Sequence, residues 1–311
     1  MKYRLAPQNY EEWLKDRKDH PSIGASMSAS ILGFNPWQSA VDVWEQLVFG
    51  KDDKIDNLSM TLGRAMEPIV KKLFMERTGL KVKNDNKIRI DEEHEFITTN
   101  LDGMVVGENI PVEYKTTAKP WDGEIPNHYF VQLQHQMMVT ESPSIYFCSL
   151  SMGFNKQLIV EKYDRNEEFI GDLRDELVDF WHYNIMERVA PEPKSIEDAK
   201  KLFNTTDPDS QVTASTNVEI QIAELRALQT HKSDIDKRMN DGKLEIMKVL
   251  GEKEELIDVN EDVLVTWKKS KDTQVFDKKK FAEEQPDIYN KYLINRDGSR
   301  RFVVKKRDTN D

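Results

Sequence analysis

Along the first 190 residues the hydrophobic period changes repeatedly, and this most limits what the chain can become. Residues 10–18 and 26–32 carry helical spacing, and Gly33 stops the second stretch. Residues 60–77 follow, with Leu62, Met66, Ile69, Val70, Leu73 and Phe74 on one face and Gly79 at the end. The period then shortens to that of strands at 87–90, 96–101, 103–106 and 111–116. Pro126 suits the start of a helix reaching about residue 140, strands follow at 144–151 and 156–163, and a helix is expected over 166–189. Such interleaving predicts an α/β domain.

Pro191-Glu192-Pro193 interrupts this regime, and the polar stretch beyond it contains Asp207-Pro208-Asp209-Ser210, a linker composition. Residues 218–250 return to helical spacing through Ile220, Leu225, Leu228, Ile235, Met239, Leu244, Ile246 and Leu250, as one helix or a pair broken at Gly242. Residues 262–267 and 301–304 look like strands. The expected division is 1–210 and 211–311, the second part being helical plus a small α+β portion.

Composition narrows the class of protein. The 311 residues carry 45 Lys+Arg against 56 Asp+Glu, a net charge of −11, so bulk positive charge is not how this chain would hold nucleic acid. One cysteine excludes an intrachain disulfide framework, a four-cysteine zinc site and a four-thiolate iron–sulfur cluster. With no long apolar run and no apolar leader after Met1-Lys2-Tyr3-Arg4-Leu5, the expectation is a soluble, cytoplasmic protein.

The densest chemistry lies in Thr99-Asn100-Leu101-Asp102-Gly103 and Val112-Glu113-Tyr114-Lys115-Thr116. On a strand, Glu113 and Lys115 share one face while Val112 and Tyr114 take the other. Asp102-Gly103 would end or kink the preceding strand, and a hairpin of this length brings Asp102 near Glu113. Two carboxylates and a backbone carbonyl form a hard oxygen site for Mg²⁺ or Mn²⁺. A lysine beside such a metal can orient or deprotonate water and offset charge on a phosphate. The plain alternative is an ion pair on an exposed strand, since Glu-x-Lys triplets are common.

Asp102…Glu113-Tyr114-Lys115 resembles the PD-(D/E)XK nuclease signature, and the flanking segments resemble its YqaJ-type phage recombination exonucleases, relatives of lambda exonuclease. Ser22-Ile23-Gly24-Ala25-Ser26-Met27-Ser28-Ala29-Ser30-Ile31-Leu32-Gly33 with Pro36-Trp37 is similar to that family's opening segment. Gly63-Arg64-Ala65-Met66-Glu67-Pro68 resembles its "G…EP" helix, and Gln132-Leu133-Gln134-His135-Gln136-Met137-Met138-Val139-Thr140 its "QxQxxMxVT" helix. Motifs in family order are far more specific than any one alone. The resemblance implies a PD-(D/E)XK core, a mixed central sheet flanked by helices.

It also implies roles. Glu67 would join Asp102 and Glu113 at the metal, where the residues alone suggest a solvated helix glutamate. Gln132 would bind phosphate, hold water or orient the lysine; Gln134, two positions on, faces elsewhere. Arg17 and Ser26 match positions that cradle a terminal 5′-phosphate, and read alone they are a surface arginine and an N-cap serine. Met27 stands where the family often has an acid. His135, beside Met137 and Met138, reads as structural, as do His94 and His128. Among the aromatics Phe34, Trp37, Trp44 and Trp121, which can stack on bases or wedge a strand end, Trp44 reads as core and Trp121 as the best DNA contact.

From Trp267 to Asp311 there are 13 Lys+Arg and 8 Asp+Glu, a local +5 against −16 elsewhere. Interleaved with Trp267, Phe276, Phe281, Tyr289 and Tyr292, these lysines fit a DNA-contacting module or equally the solvated faces of a small domain. The long helical stretch before them fits an oligomerisation or partner surface, or a helical hairpin. Taken together, the resemblance implies a Mg²⁺-dependent 5′→3′ exonuclease on linear double-stranded DNA. It would expose single strand for a RecT-like annealing protein and work as a ring-shaped homo-oligomer, a trimer by analogy. The rival readings are a structure- or sequence-specific endonuclease and a non-catalytic DNA-binding assembly factor.

Overall fold

The alternating periods fold into a mixed sheet flanked by helices, seen in a computed structural model that describes residues 2–7, 9–50, 58–118, 124–154, 156–296 and 298–305. The chain divides into two compact units, Met1–Phe203 and Asn204–Asp311.

In the first unit the sheet contains β1 (Lys2–Leu5), β2 (Ile23–Gly24), β3 (Val82–Ile90), β4 (Ile97–Val105), β5 (Pro111–Thr117), β6 (Ser144–Ser151) and β7 (Leu158–Asp164). The order is β1-β3-β4-β5-β6-β7, with β2 alongside the start of β4. β2–β4 and β5–β6 are parallel pairs and the remaining pairs are antiparallel. A parallel pair needs a crossover, and α5 (Asn127–Thr140) supplies it between β5 and β6. The other helices of this unit are α1 (Tyr10–Asp19), α2 (Ala25–Ile31), α3 (Ala40–Phe49), α4 (Leu58–Thr78), α6 (Glu167–Asp179) and α7 (Ile196–Leu202).

Each face of the sheet has its own core. Ile23, Ile97, Leu133, Met137, Phe147, Leu173 and Leu177 fill the face covered by α2, α5 and α6. Val70 and Phe74 of α4 pack with Val112, Tyr114 and Cys148 on the other. Strand pleating explains the split: Phe147 and Cys148 are neighbours in sequence and lie in different cores. Val112 and Tyr114 accordingly face α4, which leaves Glu113 and Lys115 to the opposite face.

Three local expectations are corrected. Asp102-Gly103 does not end a strand, because β4 runs unbroken from Ile97 to Val105. Glycine is needed there for space, since a Cβ on Gly103 would stand 2.5 Å from Val82 Cγ1. The helix expected over 166–189 closes as a π-helical stretch, Phe180–Met186, which continues α6. Ser26 is not an N-cap: α2 begins at Ala25, with Gly24 in the capping position.

The second unit is built on α8 (Thr216–Leu250), a single 35-residue helix that passes through Gly242. No helical hairpin forms within this stretch. A short hairpin of β8 (Glu255–Ile257) and β9 (Val263–Thr266) follows, then α9 (Lys278–Glu284) and α10 (Pro286–Lys291). Residues 301–304, expected as a strand, carry no regular structure. Among the described residues no helix is long and apolar enough to cross a membrane.

Candidate active site

The register of β4 against β5 pairs Gly103 with Val112 and Met104 with Pro111, which sets Asp102 opposite Glu113. Asp102 Oδ2 accepts a 2.8 Å hydrogen bond from the backbone N–H of Tyr114, the residue between Glu113 and Lys115. The acid of one strand is thereby fastened to the backbone of the other.

Glu113 is 3% exposed and bonded through both of its carboxylate oxygens. Its Oε1 accepts from Lys115 Nζ at 2.5 Å and from Gln132 Nε2 at 2.7 Å, and its Oε2 accepts from Gln136 Nε2 at 2.7 Å. Gln132 and Gln136 are four residues apart on α5 and so project from one side of the helix. Their two amides grip the two oxygens of one carboxylate. Gln136 escaped the sequence reading, although its i+4 spacing from Gln132 was the available signal. Its own Oε1 is buried without a hydrogen-bond partner.

Glu67 lies on α4, exposed at the rim of a cleft of about 390 Å³ that Asp102, Tyr114, Lys71 and Asn84 also line. Desolvation and the charge of Glu113 raise its carboxyl above the usual range. The same two causes act more strongly on Asp102, whose carboxyl is pushed up to about 8. Burial works against the charge on Lys115, but Glu113 and Asp102 outweigh it and hold the ammonium protonated well above its ordinary range.

Among the described residues no three acidic, histidine or cysteine side chains form a ready-made metal shell. The donor chemistry nonetheless fits a hard divalent cation. Carboxylate oxygens are the ligands such ions take, and the desolvation and repulsion that lift Asp102 and Glu67 are what a bound cation would offset. Asp102 and Glu113 already stand together, while Glu67 approaches from a separate element.

The remaining candidates fall elsewhere. Arg17 is half-buried in α1 and Ser26 is exposed in the first turn of α2. Trp121 lies outside the described residues. Trp44 is core, with its indole N–H bonded to Asn184 O at 3.0 Å. His135 is structural: its Nε2 donates to Thr98 O at 2.9 Å, so its Nδ1 accepts from the Ser28 hydroxyl at 2.6 Å. Burial pushes its ring down to about 4. Gln134 faces away from the acids, bonding Asp164 O and Asn166 N.

Residues 12–143, which contain all of these groups, match the YqaJ-like viral recombinase domain. The protein YqaJ of Bacillus subtilis (strain 168) is 28% identical over 313 residues, spanning 95% of this chain and 94% of that one, so the likeness runs through the second unit as well. Among solved structures, an alkaline exonuclease from Laribacter hongkongensis is similar, with 20% identity, a TM-score of 0.47, and coverage of 57% of this chain and 94% of that one. A phage-related exonuclease from Haemophilus somnus 129PT gives 16% identity and a TM-score of 0.43 over 56% of this chain and all of that one. Over residues 12–143 the first unit is similar to a YqaJ-like viral recombinase domain.

Proposed function

We propose that the protein is a divalent-metal-dependent deoxyribonuclease that digests linear double-stranded DNA 5′→3′ from its ends, leaving 3′ single strand for recombination by strand annealing. The observation that carries this reading is the cluster of Asp102, Glu113 and Lys115, with Asp102 bonded to the backbone of the Glu-x-Lys strand itself. The recombinase family of residues 12–143 supports it, as do the exonuclease names of the similar structures.

A Mg²⁺ or Mn²⁺ held by Asp102 and Glu113, with Glu67 adjoining, would act as a Lewis acid on the scissile phosphate and its attacking water. The chain's own residues do the rest. Gln132 and Gln136 fix the rotamer of Glu113, and the Tyr114 N–H fixes that of Asp102. Lys115, a protonated cation in this setting, serves to orient water and to offset charge on the phosphate rather than to remove a proton. Arg17 and Ser26 would receive the 5′-phosphate, Trp121 would contact DNA, and the basic, aromatic stretch from Trp267 would add phosphate contacts. By family analogy the assembly is a ring-shaped homo-oligomer, a trimer, and its partner a RecT-like annealing protein.

The test is digestion of 5′-labelled linear duplex beside a closed circle of the same sequence. Mononucleotides should appear from the linear substrate with Mg²⁺ and not with EDTA, and the circle should remain intact. Cutting of the circle would replace this reading with an endonuclease, and metal binding without turnover on either substrate would replace it with a non-catalytic assembly factor.

A further inference from the structure

Trp37 stands out from Trp44 and Trp181. Trp44 is buried and Trp181 is stacked on Phe96 at 4.6 Å with rings 2° from parallel, whereas Trp37 is 75% exposed. An indole held in water is costly, and its surroundings are anything but loose. Gly33, at a φ of +83° that a glycine adopts without strain, turns the chain out of α2. Phe34 N and Asn35 N then both donate to Ala29 O, at 2.8 and 3.1 Å. Asn35 Oδ1 accepts from Trp37 N at 3.0 Å, while its amide donates to Ser30 Oγ at 2.9 Å. Ser30 bonds buried Gln38, which bonds buried Gln46. The hydrogen bonds on both sides of Trp37 therefore fix a loop that presents the ring outward.

The position is equally specific. Trp37 meets His128 in a T-shaped contact at 5.1 Å, His128 lies 4.1 Å from Tyr129, and the Tyr129 ring lies 5.8 Å from Lys115 Nζ. Three ring contacts thus join the exposed indole to the lysine of the acid cluster. A T-shaped contact occupies at most one face of the indole, so a face remains for a planar ligand. Beside it opens a cleft of about 450 Å³, lined by Trp37, Asn35, Gln38 and Lys194 together with the acids Glu192 and Asp198.

From this geometry we infer that Trp37 is a stacking platform for a nucleobase at the strand end delivered to Lys115. The inference rests on the proposed nuclease reading. A base offers a π-face whatever its identity, so the platform holds the end without sequence preference. Since Trp37 touches neither carboxylate nor lysine, its contribution falls on substrate capture and not on the chemical step.

The experiment uses the full chain and linear duplex carrying 2-aminopurine as its 5′-terminal base. In EDTA, wild type and Trp37→Phe should quench the 2-aminopurine emission on binding, and Trp37→Ala should not. With Mg²⁺, Trp37→Ala should raise KM for linear duplex by about ten-fold or more, at the scale of one base stack, and leave kcat within about two-fold; Trp37→Phe should restore most of the loss. Unchanged quenching and KM in Trp37→Ala overturn the platform, as does an equal loss in Trp37→Phe. If wild type fails to cleave, the nuclease reading falls by itself, and quenching that depends on Trp37 still supports the platform while its absence overturns it.

Discussion

The two units of this chain spend their apolar residues in opposite ways. In the first, Phe74, Phe147, Ile23, Leu133 and Met137 are fully buried on the two faces of one sheet. In the second, Leu250 is the one buried side chain among the described residues, although α8 carries Val218, Leu225, Leu228, Ile235, Met239, Ile246 and Val249, all exposed. The α4 and α8 helices both have helical apolar spacing, and α4 packs its Val70 and Phe74 on the seven-stranded sheet. Helical periodicity states which face is apolar; it does not state what covers that face. The first unit therefore gains its stability from tertiary burial, while α8 depends on helix propensity and on whatever surface meets it.

The sharpest way to break this contrast is to truncate one residue of each kind. Phe74, edge-on to Tyr146 at 5.4 Å and to Tyr114 at 6.2 Å, should cost about 3–5 kcal/mol on replacement by Ala. Leu228→Ala on α8 should change unfolding by less than about 0.5 kcal/mol, as for an exposed site. Both are read from denaturant melts, and a large loss at Leu228 would show that its face is covered in the working assembly.

A second prediction concerns the strain inside the acid cluster of the first unit. Asp102 ionises near pH 8 in the folded protein against an ordinary value of 3.8, so the folded state prefers its acid form. The stability this preference contributes is complete below about pH 4 and is lost as the pH rises through about 8. Metal-free wild type should thus lose melting temperature across that interval relative to Asp102→Asn, and Mg²⁺ at pH 8 should restore part of it. Parallel melting curves for the two proteins would contradict the raised ionisation of Asp102. The smallest effect belongs to α8. Gly242 sits mid-helix with open space around its Cβ position, so Gly242→Ala should stabilise the helix by about 1 kcal/mol, seen as a later loss of helical signal on heating.

Much of this molecule was legible in the sequence. The face shared by Glu113 and Lys115 followed from strand alternation, and the approach of Asp102 followed from hairpin length. The α4 and α5 helices fall within two residues of their expected limits, because strong periodicity and end signals such as Gly79 and Pro126 mark them. Other features depend on contacts distant in the chain. Lys2–Leu5 becomes a strand because it pairs with residues 87–90, a partner no local pattern announces. Gly103 reads as a strand end by local preference, whereas it pairs with Val112 within β4 and the approach of Val82 leaves no room for a side chain. Gly242 reads as a break, yet intrinsic preference costs too little to interrupt 35 helical residues. At the site, Gln136 was missed because a second glutamine acquires meaning only when both oxygens of Glu113 are seen to need a donor.

The central claim is that the Asp102–Glu113–Lys115 cluster cleaves DNA, and removing the Lys115 ammonium tests it most directly. Lys115→Ala, compared with wild type on 5′-labelled linear duplex in Mg²⁺, should lower mononucleotide release by about 10²–10³-fold. The variant should keep its fold, since the Lys115 side chain is 27% exposed and lies outside both hydrophobic cores. Release within a few-fold of wild type from the folded variant would contradict the account.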